Sequence, residues 1–355
     1  MSDISKIDKN FVLDSSVQRD GVVFYNVTEK PFSVHGLIRE NDAWARMPAS
    51  IADNVSEGVG ALAHHTAGGR VRFVTDSPYV IIKTVQPEMS VFPHMTFAGK
   101  CGFDLYSGKG SSTRYIKSFI PPVGKKGGFE AVIDIGDKRE RLLTIDFPLY
   151  DNVTDLYIGL LDTATLSAAP DYTIAKPIVY YGSSITQGGC ASRAGNSYQG
   201  FISRWLDADY TNLGFSGNAK AEKIMCDYIA SLDMSAFVLD YDHNAPSNEH
   251  LAATHEVLFK CVRAAHPDIP IVVMNRPKRT LNDMELNRLD IIKRTVENAE
   301  MAGDKNVYFV SGKELMALCG DEGTVDGTHP TDLGFYSMAK CLEPLLRTRS
   351  EEPHV

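Results

Sequence analysis

The sequence lacks the features that mark membrane, secreted and nucleic-acid-binding proteins. No stretch approaches the ~18 to 20 continuous apolar residues of a membrane-spanning helix. The N-terminus, MSDISKIDKNFVLD, is polar and acidic where a signal peptide needs a basic start and an apolar core. A net charge of -9 also disfavours nucleic acid and anionic membranes as partners. We therefore expect a cytoplasmic protein that binds neither.

Cysteine is scarce and shows no paired spacing. The 355-residue chain has six cysteines, none in a CxxC arrangement: Cys101, Cys190, Cys226, Cys261, Cys319 and Cys341. This usage predicts free thiols in a reducing compartment rather than disulfides or a zinc site.

The chain is long enough for two domains with separate cores. Its first half contains short runs of β-branched and aromatic residues, separated by glycine- and proline-rich turns. The predicted strands are 22–25, 70–75, 79–85, 113–119, 129–135 and 141–147. They indicate an antiparallel β-sandwich or jelly roll over residues 1–172, which is a candidate carbohydrate-binding domain.

In the second half, apolar runs alternate with helical stretches. The predicted strands are 178–181, 210–213, 236–239, 271–274 and 307–310. The predicted helices are 197–207, 219–232, 248–266, 283–302 and 331–347. Strict alternation of this kind predicts an α/β domain over residues 173–355, with a doubly wound, flavodoxin-like parallel sheet.

Polar clusters follow the predicted strands of the second half. Ser184 lies in PIVYYGSSITQGG (177–189), just after the first strand, and two later strands are followed by NLGFSGN (212–218) and DYDHN (240–244). A fourth cluster, DGTHP (326–330), precedes the last helix. Because the carboxyl ends of parallel strands border one crevice, we expect these clusters to converge.

The order of these blocks resembles the SGNH or GDSL hydrolase superfamily. The resemblance covers residues 177–347, with Ser184 at the nucleophile position of the first block. Gly217 and Asn244 match the glycine and asparagine of the second and third blocks. In the last block, Asp326 and His329 match the D-x-x-H motif.

A second resemblance lies upstream of the α/β half. Residues 102–106, GFDLY, look like the GxDLY motif of the β-domain that precedes some of these hydrolases. The sequence also departs from the common pattern, because Ser183 stands where aspartate is usual and Ala245 follows the third-block asparagine. These departures put the subfamily in question.

The resemblance implies a serine esterase without a metal or organic cofactor. Ser184 would be the nucleophile, His329 its base, and Asp326 the carboxylate that orients the imidazole. The oxyanion hole would consist of the backbone N–H groups of Ser184 and Gly217 and the side-chain amide of Asn244.

Each of these residues also has a purely structural interpretation. Ser184 could cap a helix, and Asn244 could be an ordinary turn residue. Asp326 and His329 could merely shape the turn before the last helix. As a metal-binding pair they lack an evident third ligand.

The two-domain members of the superfamily resemble carbohydrate esterases. We therefore expect removal of acetyl groups from acetylated plant-polysaccharide oligosaccharides, derived from xylan or mannan. Long acyl chains fit less well, because no apolar flap is evident near the site loops. A non-carbohydrate short-chain esterase or thioesterase, and a carbohydrate-binding protein with a degenerate hydrolase half, remain as alternatives. The oligomeric state is open, with a homo-oligomer as one option.

Four residues are candidate substrate contacts. His243, Arg276 and His64 lie in or beside predicted loops, where structural hydrogen bonding, salt bridging or a solvated turn would explain them at least as well. Trp44 could stack on a sugar ring, although a place in the sandwich core suits it better.

Overall fold

The computed structural model describes residue 17 and residues 19–347. Before Ile174 these residues form twelve strands and three α-helices. The strands are β1 (Val22–Asn26), β2 (Ser33–His35), β3 (Ile38–Glu40), β4 (Ala43–Ala45), β5 (Arg70–Thr75), β6 (Tyr79–Val85), β7 (Phe103–Ser107), β8 (Arg114–Phe119), β9 (Phe129–Asp134), β10 (Arg141–Asp146), β11 (Asp155–Leu161) and β12 (Leu166–Ser167). The helices are α1 (Ala49–Val55), α2 (Glu57–Ala63) and α3 (Phe97–Cys101).

The strands of the first half form two larger antiparallel sheets and one hairpin. One sheet has the order β1-β11-β6-β9, and the other has the order β12-β5-β10-β7-β8 with β2 also paired to β5. Apolar side chains from both sheets share one core that includes Phe73, Phe103 and Ile158. The predicted antiparallel β-domain is thus confirmed, whereas its description as a jelly roll stays a prediction.

The second half contains five strands and seven α-helices. The strands are β13 (Ile174–Gly182), β14 (Ala208–Gly214), β15 (Ala236–Asp240), β16 (Ile271–Met274) and β17 (Val307–Val310). The helices are α4 (Ser184–Gln187), α5 (Tyr198–Leu206), α6 (Lys223–Ser231), α7 (Asn248–Ala265), α8 (Asp283–Met301), α9 (Gly312–Leu315) and α10 (Asp332–Leu346). None of the helices in the described part of the chain is long and apolar enough to cross a membrane.

The five strands are parallel, in the order β14-β13-β15-β16-β17. This order confirms the predicted doubly wound sheet, because the chain starts near the middle and winds first to one edge and then to the other. Alternate residues of β13 enter opposite layers: Ile178 and Tyr180 join one apolar core, and Val179 and Tyr181 join the other. Because both faces of the strand are covered, its buried run 178–181 is apolar or aromatic at every position.

Two short helices of the first half pack on the α/β core. Ala52 of α1 and Val59 and Ala63 of α2 belong to the same buried cluster as Val179 and Phe215. Neither helix is evident in the sequence pattern, because each has only seven residues. The division between residues 172 and 173 stays a prediction, and the core of the second half includes residues from before it.

The GFDLY motif joins the two halves. Asp104, on β7, is fully buried and accepts hydrogen bonds from Arg193 Nη1 at 2.6 Å and from the backbone N–H of Gly195 at 2.8 Å. Ser118 Oγ, on β8, donates to the other carboxylate oxygen at 2.5 Å. A buried carboxylate with these partners fixes the β-domain against the segment that follows α4.

Candidate active site

Ser184 lies at the carboxyl end of the central strand. β13 ends at Gly182, whose hydrogen cannot be replaced by a Cβ because that atom would collide with the backbone of Asp240. The helix cap is Ser183, whose side chain accepts from the backbone N–H of Ile185 at 3.2 Å. Ser184 is therefore not needed as the cap, and its hydroxyl is available for another role.

His329 and Asp326 lie in the loop before α10. The Ser184 Oγ and His329 Nε2 atoms are 2.9 Å apart, and His329 Nδ1 lies 2.7 Å from Asp326 Oδ2. Asp326 Oδ1 also accepts from the backbone N–H groups of Thr328 and His329, at 3.0 and 2.8 Å. Partial burial disfavours the ionised carboxylate, but the hydrogen bonds from His329 outweigh it and lower the pKa of Asp326 to about 2. An ionised Asp326 fixes the tautomer with Nδ1 protonated, so that Nε2 faces Ser184 as an acceptor.

Two further loops leave the same edge of the sheet. Gly182 is in register with Gly214 on one side and with Asp240 on the other, so the chain after each strand emerges beside Ser184. In the first of these loops Gly217 has a φ of +70°, and its backbone N–H has no hydrogen-bond partner among residues 19–347. In the second, Asn244 Oδ1 accepts from the backbone N–H of Ala219 at 3.3 Å, which leaves its NH₂ group free to donate.

Buried polar groups hold the loop that contains Gly217, the glycine loop, in place. Gln187 Oε1 accepts from the backbone N–H of Ser216 at 3.1 Å, and its Nε2 atom lies 3.1 Å from His65 Nδ1. Arg46, from the β half, donates to the carbonyls of Asn212 and Gly214 and stacks on Phe215. Burial lowers the pKa of Arg46 to about 9.

An open cavity of about 460 Å³ lies against His329. Both halves of the chain line it: Gly58, Ala61, Leu62, His65, Phe92, His94, Met95 and Tyr150 from the first half, and Gly189, Cys190, Ser216, Asn218 and His329 from the second. Burial and the nearby cations Arg46 and Lys100 lower the pKa of His65 to about 3, so this wall residue is neutral. The volume is in the range of small-molecule binding sites. The β half therefore contributes side chains to the cavity of its own chain.

Models of two protein families match the chain. Residues 175–347 match the GDSL-like lipase/acylhydrolase family, and residues 22–166 match the GxDLY domain found at the N-terminus of SGNH-hydrolase-type esterases. The chain belongs to the GDSL-like lipase/acylhydrolase family. As a member of that family with a GxDLY domain, it is a carboxylic ester hydrolase.

Solved structures resemble this GDSL hydrolase over most of its length. A protein from Bacteroides ovatus ATCC 8483 described as a GDSL-like lipase is 30% identical, with a TM-score of 0.82 over 92% of this chain and 98% of its own. The salicylyl-acyltransferase SsfX3 from a tetracycline biosynthetic pathway is 19% identical, with a TM-score of 0.75 over 91% and 96%. The acetyl xylan esterase Est2A from Butyrivibrio proteoclasticus is 14% identical, with a TM-score of 0.58 over 92% and 98%. A comparison with curated proteins gave no match.

Two of the candidate substrate contacts of the esterase, Trp44 and Arg276, are buried and do not line the cavity. Trp44 is 5% exposed and packs edge-on against Phe147 in the sandwich core, so its interpretation as a sugar platform is wrong. Arg276 is 8% exposed and forms ion pairs with Asp242 at 2.8 Å and Glu285 at 2.9 Å. It braces the loop that ends in Asn244 and is not among the residues that line the cavity.

The two histidine candidates differ from each other. His64 follows the last residue of α2 and does not line the cavity, whereas its neighbour His65 does. His243 is partly buried, and burial, opposed by Asp242 and assisted by Arg276 and His329, lowers its pKa to about 4. A role of His243 in binding substrate stays a prediction.

The apolar wall of the cavity was not predicted from the sequence. Phe92 and Met95 lie in the segment between β6 and α3, and they contradict the expectation that no apolar segment lies near the site loops. This segment has no helical or strand periodicity. The only signal was the cluster of Phe92, His94 and Met95 in a long connection, where functional residues often occur.

Proposed function

We propose that this esterase removes acetyl groups from acetylated plant-polysaccharide oligosaccharides by Ser-His-Asp catalysis. The observation that carries the proposal is a continuous chain of hydrogen bonds beside an open cavity. It runs from Asp326 Oδ2 to His329 Nδ1 at 2.7 Å and from His329 Nε2 to Ser184 Oγ at 2.9 Å. Such a chain argues against a degenerate hydrolase half, in which selection would no longer maintain the contact between base and nucleophile.

In the first step Ser184 Oγ attacks the ester carbonyl while His329 Nε2 takes its proton. A serine hydroxyl is a weak nucleophile without a base at hydrogen-bond distance, and His329 is the base in contact with it. Asp326 remains ionised and stabilises the imidazolium that forms. His329 then gives the proton to the departing sugar oxygen, which leaves an acetyl group on Ser184.

The negative charge on the carbonyl oxygen needs donors that are already in place. We assign this role to the backbone N–H groups of Ser184 and Gly217 and to the NH₂ group of Asn244. The unpaired N–H of Gly217 and the orientation of Asn244, whose Oδ1 is held by Ala219, support the assignment.

In the second step water hydrolyses the acetyl-enzyme. His329 takes a proton from the water, the hydroxide attacks the acetyl carbonyl, and Ser184 leaves with the proton that His329 returns. Acetate and the free serine are the products. Every step uses groups that the chain itself supplies, so the proposal includes no metal and no organic cofactor.

Two observations support a carbohydrate as the alcohol part of the ester. The chain shares its two-domain fold with the acetyl xylan esterase Est2A, and the cavity has room for more than an acetyl group. The identity of the sugar, the location of the enzyme in the cytoplasm and the import of its substrate stay predictions.

The apolar cavity wall favours a second candidate, an ester with a bulkier acyl group that need not be attached to a carbohydrate. Leu62, Phe92 and Met95 offer contacts that an acetyl group alone would leave unused. The likeness in fold to the salicylyl-acyltransferase SsfX3 makes an aromatic acyl group worth testing.

The nucleophile is tested with Ser184→Ala. We expect turnover of p-nitrophenyl acetate to fall by ~10⁴ to 10⁶-fold, because the acyl-enzyme can no longer form. A serine-directed phosphonate should label the native protein and not the variant. Ser183→Ala is the matched control. It loses a helix cap worth ~1 kcal/mol of stability, but the phosphonate should still label it and it should retain most of the turnover. Undiminished turnover by Ser184→Ala would refute the mechanism.

The substrate is tested by comparing release of acetate from acetylated xylo- and manno-oligosaccharides with hydrolysis of acetyl, butyryl and benzoyl esters of p-nitrophenol. A carbohydrate acetyl esterase should show its highest kcat/KM on an acetylated oligosaccharide. A higher value on the benzoyl ester would favour the second candidate instead.

A further inference from the structure

Two side chains of the cavity, His94 and Cys190, have no part in the proposed mechanism. His94 is exposed, its ring is stacked on Phe92, and its centroid lies 5.7 Å from that of the His329 ring. Cys190 is 8% exposed. Within the described part of the chain neither side chain forms a hydrogen bond, so both are available to a ligand.

These two side chains and His329 lie close enough to share a metal ion. One ligand atom from each of the three lies within 4.8 Å of the others. Tetrahedral zinc, with bonds of about 2.0 Å to nitrogen and 2.3 Å to sulfur, holds its ligands roughly 3.3 to 3.6 Å apart. A shift of about 1 to 1.5 Å therefore closes the site, and the exposed His94 can make much of it by rotating its side chain.

The partners of His329 favour metal binding through Nε2. Its Nδ1 atom is held by Asp326 at 2.7 Å, so Nε2 is the nitrogen with an available lone pair. A carboxylate that accepts from the other ring nitrogen is also the usual support of a zinc-binding histidine, because it fixes the tautomer and makes the ligand more basic. The pair that orients the base for Ser184 thus orients it equally well for a metal.

We propose that His94, Cys190 and His329 form a zinc site whose occupation reversibly inhibits the esterase. Two imidazoles and a thiolate are a donor set that zinc prefers, with the fourth position left for water. Zinc on Nε2 would occupy the lone pair that accepts the proton of Ser184, so the nucleophile could not be activated. The inhibition rests on the proposed role of His329, whereas the binding does not.

The thiol must lose a proton when zinc binds. Zinc binds the thiolate form of cysteine, whereas a cysteine without a metal ion or a cationic partner carries a thiol. Formation of the zinc–thiolate bond therefore releases one proton to the solvent. The site combines one ligand from the β half with two from the α/β half.

Metal binding is tested first without reference to activity. Titration of the full-length protein with Co²⁺ should give the near-ultraviolet charge-transfer band of a cobalt–thiolate bond, and calorimetry with Zn²⁺ should give one ion per chain. Cys190→Ser should abolish the band. His94→Gln should weaken binding of either ion by about tenfold or more, since even the loss of a supporting residue commonly costs that much. The matched controls, Cys341→Ser and His64→Gln, should bind like the native protein.

Inhibition is then measured on p-nitrophenyl acetate, with each protein compared with its own metal-free rate. We expect Zn²⁺ to inhibit the native enzyme and excess chelator to restore it. The half-inhibitory concentration should rise by about tenfold or more in His94→Gln and Cys190→Ser. Equal sensitivity of native and variant proteins, or the absence of a cobalt–thiolate band in the native protein, would overturn the proposal.

Failure of the proposed function can be distinguished from failure of the metal site. If Ser184→Ala retained full turnover, the catalytic proposal would be wrong, yet the cobalt band and its loss in Cys190→Ser would still test the site. If zinc bound as described but left the rate unchanged, the inhibitory role would be refuted.

Discussion

The two halves of the chain meet at the cavity with different chemistry. The α/β half contributes polar groups, among them Ser216, Asn218 and His329, whereas the β half contributes mainly apolar side chains such as Phe92 and Met95. The polar groups lie in short loops at the carboxyl edge of a parallel sheet. The apolar groups lie in longer connections of the β-domain. The comparison suggests that the α/β side carries out the reaction and that the β side selects the substrate.

The strongest test of the polar side is Asp326→Asn. The amide keeps the size of the side chain but can stabilise the wrong tautomer of His329, so we expect kcat to fall by ~10³ to 10⁴-fold. Asp321→Asn is a matched control in the same region, because Asp321 accepts from the backbone of Arg279 and makes no contact with His329. Activity within tenfold of native for Asp326→Asn would show that the carboxylate only shapes the turn.

A smaller effect is expected when the proposed oxyanion donor Asn244 is replaced. Loss of one such donor typically lowers kcat by ~10² to 10³-fold. Asn244→Ala removes the donor and also the acceptor for Ala219 N–H, whereas Asn244→Asp keeps the acceptor and loses the NH₂ group. Steady-state kinetics should show both variants severely slowed. Near-native turnover by Asn244→Asp would mean that Asn244 only braces the loop.

The smallest effect is expected on the apolar side, with Phe92→Ala. If the β half selects the substrate, kcat on p-nitrophenyl acetate should change little, while the kcat/KM ratio of benzoyl to acetyl ester should fall by about tenfold. Phe24→Ala, which removes a 44% exposed phenylalanine of β1, is the matched control. An equal loss of kcat on all esters would contradict the division of labour between the halves.

The difference between the halves also explains what the sequence could predict. The parallel strands contain apolar and aromatic runs that the sequence pattern reveals, and 271–274 and 307–310 appear at the predicted residues. Since the topology brings their carboxyl ends together, convergence of Ser184 and His329 followed from the order of the elements.

The cavity wall and the position of Cys190 beside His329 could not be predicted in the same way. Helices α1 and α2 have seven residues each, too few for a clear helical period. Cys190 lies beside His329 because the turn after α4 folds back, and the separation of 139 residues along the chain gives no hint of it. The ion pairs of Arg276 were not predictable either, because its partners Asp242 and Glu285 come from two different elements.

The packing of α1 and α2 on the α/β core has a consequence for protein engineering. A fragment that starts at residue 173 would leave Phe215 without Arg46 and the two helices above it, and the carbonyls of Asn212 and Gly214 would lose their donor. The exposed apolar patch would promote aggregation, and the glycine loop would loosen next to Ser184. The α/β half should therefore not be transferred to another protein on its own. A chimaera should include residues 46–63 together with the α/β half.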